Sequence, residues 1–129
     1  LLRALAEGVT YGLADCLSVL RELKITTESM IACGGGAASP FRRQMLADVF
    51  GIPVSTIKSE QGAVLGAALL AAVASGVYGS VEEACSIIQI ESQNLPNPAA
   101  HAEYMKYYEI YRAAYPALKE LYKRLTHIS

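Results

Sequence analysis

No cluster of lysine and arginine runs through these 129 residues, and the formal net charge is −1. That argues against nucleic acid or an anionic membrane as the main partner, because both are held by concentrated positive charge. No apolar run is long enough to cross a bilayer either: the longest, Ala63 to Ala74, falls short of the roughly 20 residues a span requires. Cysteine is scarce. Cys16, Cys33 and Cys85 lie far apart in apolar surroundings, without CxxC spacing, and the distant His101 and His127 add no metal pattern. The three read as reduced, buried thiols of a cytoplasmic protein. Neither a metal-ligand set nor a catalytic side chain is assigned.

A helix start is missing as well. The chain opens on Leu1-Leu2-Arg3-Ala4-Leu5, already inside a helical pattern, with no initiator methionine and no cap. Leu2, Leu5, Val9, Leu13, Cys16, Leu17 and Leu20 recur at the spacing of one helix face. The expectation is a segment of a longer protein.

Glycine, by contrast, is concentrated. Gly34, Gly35 and Gly36 follow a short apolar strand over Ser29 to Cys33 and precede Ala37-Ala38-Ser39-Pro40. Glycine is costly in unfolded-chain entropy, so three in succession point to positive φ or to close approach of something to the backbone. Ser39 is a good N-cap and Pro40 suits the first helical position. The helix they open carries Phe41, Met45, Val49 and Phe50 on one side and ends at Gly51, a C′ residue. A second strand covers Ile52 to Ile57, with Pro53 near its start.

Glu60 to Ser75 is apolar nearly all round, which predicts deep burial. Its Gly62 and Gly66 share the GxxxG spacing of membrane helices but read as permitting tight helix-on-sheet contact. Gly76 to Gly79 stops it, and Ser80 to Glu83 forms a capping box for a short helix to about Ile88. Asn94 to Pro98 reads as a linker ending in a cap and first turn. In the last helix, over 98–126, Tyr104, Tyr108, Tyr111, Tyr115, Leu118, Tyr122 and Leu125 alternate steps of four and three. They read as a face laid on the same domain rather than a coiled-coil seam, with a kink or restart at Pro116.

The order is α/β, with a helix between strands implying a parallel pair joined by a right-handed crossover and a majority of helix. Two strands make a small sheet for so apolar a chain, again as if partner strands lay elsewhere. A strand, a glycine run and a helix start are a place where backbone N–H groups converge on anions, the helix dipole adding about half a positive charge. Neither the Walker loop nor the dinucleotide fingerprint is met, because no GK[ST] follows and Ser39 stands where a third glycine belongs. Geometry alone leaves a tight structural turn and a phosphate or nucleotide site equally open.

The stretches "GGGAASPFRRQMLADVFGIPV" and "EQGAVLGAALLAAVASGVYGSVEEAC", with the opening "LRALAEGVTYGL" and the Pro/Tyr-rich tail, resemble the C-terminal part of the FGGY carbohydrate kinases, the xylulose kinases in particular. That resemblance covers essentially the whole chain. It implies a partial actin-like, ribonuclease H-like ATPase fold, with residues 1–129 the distal part of the second domain, on the nucleotide-binding side. It also implies that Gly34, Gly35, Gly36 and Ala37 lie along ATP, with Ser39 and Pro40 near the adenine or ribose. Gln44 and Asp48 match the family pattern, although a structural role in the helix explains both as easily. Arg42 stands where relatives carry an aromatic, and some relatives have a polar residue in place of Pro40. The Glu60–Gly62–Gly66 block resembles a helix packed beside the nucleotide layer.

In such kinases the catalytic aspartate, the sugar-binding residues and the first phosphate loops come earlier in the sequence. Implied partners are therefore ATP with Mg²⁺ and a ketopentose such as D-xylulose, gathered by a full-length parent, with no turnover by this chain alone. The alternative is a non-catalytic actin-like nucleotide-binding or self-assembly module that forms homo-oligomers through exposed apolar surface. A third reading is a relative outside the sugar kinases that shares only the fold.

Overall fold

Local signals set most of the element boundaries. The computed structural model describes residues 1–58 and 62–126. Within them the chain runs α1 (Leu2–Glu22), β1 (Met30–Ile31), α2 (Gly35–Ala38), α3 (Pro40–Phe50), β2 (Val54–Ile57), α4 (Gly62–Ala74), α5 (Val81–Cys85), β3 (Ile90–Asn94) and α6 (Pro98–Thr126). Ser39 caps α3 through a long 3.5 Å bond from the Arg42 N–H, and Pro40 occupies the first position. Gly51 closes it in the left-handed region at φ 70°, its N–H donating to the Ala47 carbonyl. At α5, Ser80 accepts from the Glu83 N–H at 3.1 Å, while the Glu83 carboxylate reaches the Gly79 N–H at 2.7 Å. The expected box is present, its return arm landing one residue early. Asn97 caps α6 by accepting from the N–H groups of Ala99 and Ala100.

The sheet has the order β1-β2-β3. β1 and β2 are the expected parallel pair, with Met30 opposite Val54 and Ile31 opposite Ser55. β3 is an addition: it pairs antiparallel with β2, Thr56 facing Ser92 with their hydroxyls 2.6 Å apart. Residues 90–93 carry no assignment from sequence and Asn94 reads as the start of a linker, because Glu91, Gln93 and Asn94 lack the apolar or β-branched character of a strand. Mixed pairing follows, as the return from α5 needs no crossover.

The core lies between α1, α3, β2 and the first half of α6. It is built on Tyr11, Leu17, Met45, Val49, Phe50 and Val54, each worth on the order of 2 kcal/mol relative to exposure. α3 touches all three partners. Tyr11 meets the rings of Tyr104, Tyr108 and Tyr111 at centroid distances of 6.4, 5.8 and 5.5 Å, so the first three steps of the tyrosine stripe are laid on the domain. The Tyr108 hydroxyl donates to Asp15 at 2.6 Å instead of pointing away. Beyond that, Tyr115, Tyr122 and Leu125 are exposed, the rings of Tyr115 and Tyr122 stacking on each other at 6.3 Å. α6 also continues as one helix through Pro116 and does not restart there.

Two burial expectations are corrected, and α1 is covered mainly beside its apolar face. Leu2, Leu5, Val9, Leu13 and Leu20 are exposed, and of that face Leu17 alone is buried, with Thr10, Tyr11 and Ala14. The apolar face is real, but α3 and α6 pack on the neighbouring side. α4 buries only Leu69, leaving Val64 and Leu70 open, because no second layer covers it among the described residues. All three cysteines, expected to be buried, are exposed. The tight contact expected of Gly62 does occur, since a Cβ there would overlap the Cys33 side chain; Gly66 meets nothing. Glu60 lies outside the described residues.

Tyr11 carries a measurable consequence. Its hydroxyl is buried and finds no partner among the described residues. Burial, then the nearby Glu7 carboxylate, push its phenol from 10.0 up to about 12. Folding thus holds this proton more tightly than the unfolded chain does. The resulting stability is complete below pH 10 and is lost as the pH rises through about 12. Tyr11→Phe is expected to match or exceed the parent at pH 7, by up to about 1 kcal/mol, because an unsatisfied hydroxyl is removed. It should also flatten the alkaline decline, leaving the part due to Tyr108, whose pKa burial and Asp15 also raise. Urea titrations at pH 7 and pH 11 measure both effects.

Candidate functional site

The glycine run turns the chain from β1 into α3 by way of the one-turn helix α2. Gly34 takes φ 79°, ψ −175°, a conformation open to glycine and strained for any side chain. The turn closes with the Ala37 N–H bonded to the Gly34 carbonyl at 2.9 Å. Gly35 and Gly36 precede that bond, so their N–H groups have no acceptor inside the turn. A Cβ built on Gly34, Gly35 or Gly36 meets nothing within 4 Å. Among the described residues nothing fills the turn, and packing within them does not explain the absence of side chains at Gly35 and Gly36. α2 is one turn long and α3 begins afresh at Pro40, so the dipole expected behind the glycines is that of a much shorter helix than the sequence suggested.

Two cavities flank the turn. The larger, about 700 Å³, is bounded by Gly34, Gly35, Ala37 and Ala38 on one side and by Thr56, Ile57, Glu91 and Ser92 on the other, with Arg43 at its wall. The smaller, about 290 Å³, is apolar and lies under Gly36 and Ala37 against Leu13, Leu17, Leu46 and Phe50. Of the six residues expected to touch nucleotide, Gly34, Gly35 and Ala37 share the first cavity, while Gly36 and Ala37 border the second. Ser39 and Pro40 line neither: Ser39 is half-buried as a cap and Pro40 is exposed. Glu91 and Ser92 went unassigned because β3 did, while Thr56, inside the expected second strand, was not singled out because its place at the cavity depends on β3 beside it.

The four residues of α3 whose roles sequence left open are now placed. Arg42 donates to the Ala6 carbonyl at 2.9 Å, tying α3 to α1. Arg43 donates to the carbonyls of Ala37 and Ala38 at 2.7 and 3.1 Å. Gln44 bonds the Leu95 carbonyl and Asp48, each just under 3 Å away, and accepts from Asn94. Asp48 accepts from the Asn97 N–H at 2.8 Å. Gln44 and Asp48 are thus structural, joining α3 to the segment between β3 and α6.

Among the described residues no group of three or more His, Cys, Asp or Glu could hold a metal ion. Among the described residues Glu91 is the one carboxylate at the larger cavity. No helix among them is long and apolar enough to cross a membrane.

Comparison with known proteins gives a consistent result. Residues 1–75 match the C-terminal domain of the FGGY family of carbohydrate kinases. The chain is 36% identical over 120 residues to a xylulose kinase of Staphylococcus epidermidis, covering 92% of this chain and 24% of that protein. It is 37% identical over 122 residues to a xylulose kinase of Escherichia coli, covering 94% and 25%. The crystal structure of a ligand-bound xylulose kinase from Lactobacillus acidophilus superposes with a TM-score of 0.81 at 31% identity, over 95% of this chain and 25% of that one. The chain thus spans about a quarter of the length of the relatives it matches.

Proposed function

Because the chain belongs to the FGGY family of carbohydrate kinases, we propose that its glycine turn is the adenosine-side wall of an ATP cleft in a ketopentose kinase. Gly34, Gly35, Gly36 and Ala37 lie along the nucleotide, with Ser39 and Pro40 toward the adenine or ribose. The reaction is transfer of the γ-phosphoryl of ATP to a sugar hydroxyl, D-xylulose giving D-xylulose 5-phosphate: the sugar oxygen bonds to phosphorus as the bond to ADP breaks. Residues 1–129 act as the distal part of the second, actin-like domain, in the cytoplasm.

The observation that carries this reading is the open space beside all three glycines. Glycine is favoured where the backbone takes positive φ or is approached closely, and positive φ accounts for Gly34 alone of the three. Phosphoryl transfer also needs Mg²⁺, an oriented nucleophile and a base. Those are supplied by the other three quarters that the relatives possess, so this chain by itself turns nothing over. A few backbone donors at about 1 kcal/mol each reach millimolar affinity at best, which corresponds to about −4 kcal/mol. Calorimetry on the chain should give a constant in that range or none.

Gly35→Val and Gly36→Val test the wall itself. Neither added side chain starts with a clash, so the melting temperature should stay close to the parent's. In the intact kinase each should weaken ATP at least tenfold, the equivalent of about 1.4 kcal/mol. ATP affinity retained in both variants would overturn the reading.

A further inference from the structure

Arg43 makes a connection that the nucleotide reading does not use. Its side chain rises from the first turn of α3 and spends one nitrogen, Nη1, on two successive carbonyls, Ala37 at 2.7 Å and Ala38 at 3.1 Å. Those are the last two residues of α2, the turn that carries Gly35 and Gly36. A one-turn helix has almost no hydrogen bonds of its own and leaves its final carbonyls without donor partners inside the helix. Here a single cation satisfies two of them. Charge-assisted bonds of this kind are among the stronger ones available to a backbone carbonyl. The arrangement also has a cost: Arg43 Nε is buried with no partner among the described residues. A buried orphan donor is retained only where something offsets it.

We infer that Arg43 is a positioning residue for the glycine turn: by holding the Ala37 and Ala38 carbonyls it fixes the backbone of α2 relative to the rigid helix α3. α3 is a suitable anchor, since Met45 to Phe50 are all buried. Arg43 also stands at the wall of the larger cavity, so its loss would leave the floor of that cavity mobile. Its neighbour Arg42, equally cationic, is turned toward α1 and binds the Ala6 carbonyl. Arg42 therefore serves as the internal control.

The effect on the turn is read without any ligand, by amide hydrogen exchange on the 129-residue chain. Arg43→Ala should speed exchange at Ala37, whose N–H closes the turn, at least tenfold. Val49, Phe50 and Thr56 should keep their rates. Arg43→Lys, shorter but still charged, should give a smaller increase, and Arg42→Ala should leave Ala37 unchanged. An unaltered Ala37 rate in Arg43→Ala would overturn the inference; so would acceleration by one common factor throughout, which is general destabilisation.

The second arm rests on the proposed ATP cleft. In the intact protein Arg43→Ala should raise KM for ATP about tenfold with kcat within about twofold, as expected when only binding geometry is lost. Faster exchange at Ala37 with KM unchanged would refute a positioning role toward nucleotide. The Gly35→Val and Gly36→Val variants separate the two failures. If they leave ATP binding intact, the cleft assignment falls, while hydrogen exchange still decides whether Arg43 holds the turn.

Discussion

Asp48→Ala should be among the most damaging single substitutions in this chain, costing about 3 kcal/mol of unfolding free energy and about 10 °C in melting temperature. Asp48 is 7% exposed, on a helix whose neighbouring residues are core. Its Oδ1 accepts from the Asn97 N–H and from Gln44 Nε2, both at 2.8 Å. The Asn97 N–H begins the cap of α6, so one carboxylate oxygen links α3, the β3–α6 connection and the start of α6. Alanine would remove the charged acceptor shared by the Asn97 N–H and Gln44 Nε2, and hydrogen bonds to a charged group are each worth about 1.5–3 kcal/mol. Gln44 retains the Leu95 carbonyl and is affected less. Asp48→Asn separates shape from charge. The amide oxygen can take both hydrogen bonds, so the expected loss is below about 1 kcal/mol. Equal damage from Asn and Ala in denaturant melts would mean that the negative charge, not the acceptor, is what matters.

Gly51→Val is the second large effect, expected to cost about 3 kcal/mol. Gly51 has φ 70°, the left-handed region, where a β-branched residue is strained by about 1–2 kcal/mol. Space adds to strain. A Cβ at Gly51 would come within 2.8 Å of His101 Cε1 and 3.0 Å of Nε2. The ring cannot simply step aside, since its Nδ1 is 2.8 Å from the Asp48 carbonyl oxygen and hydrogen-bonded to it. Moving it breaks the contact between the end of α3 and the first turn of α6. His101→Ala should therefore recover part of the loss when combined with Gly51→Val, the φ penalty remaining. Full additivity of the two substitutions in a double-mutant cycle would show that the ring and the glycine do not interact.

Both predictions concern contacts that no local pattern reveals, and this divides what could be read from the text of the chain from what could not. Ser39-Pro40 and Gly51 bracket α3 correctly because caps act within four residues of themselves. Asn97 at the start of α6 and Ser80 at the start of α5 were legible for the same reason. The glycine run was visible, and so was its place between a strand and a helix. By contrast, β3 was invisible because its pairing with β2 joins residues about 36 apart, Thr56 with Ser92. Its own side chains carry little strand preference. Helix α4 shows the opposite error: an apolar composition predicted burial, yet burial depends on what lies next to a helix, and here only Leu69 is covered.

Residue types alone settled the caps, the turn, the likeness to FGGY kinases and the nearly neutral charge, because each is local or compositional and needs no partner. Folding in three dimensions settled which side of α1 is buried, that a third strand joins the sheet, and that Arg43 grips the turn while Arg42 faces away. Two adjacent arginines are indistinguishable as letters. They diverge only because successive residues on a helix point about 100° apart, one toward α1 and one toward α2.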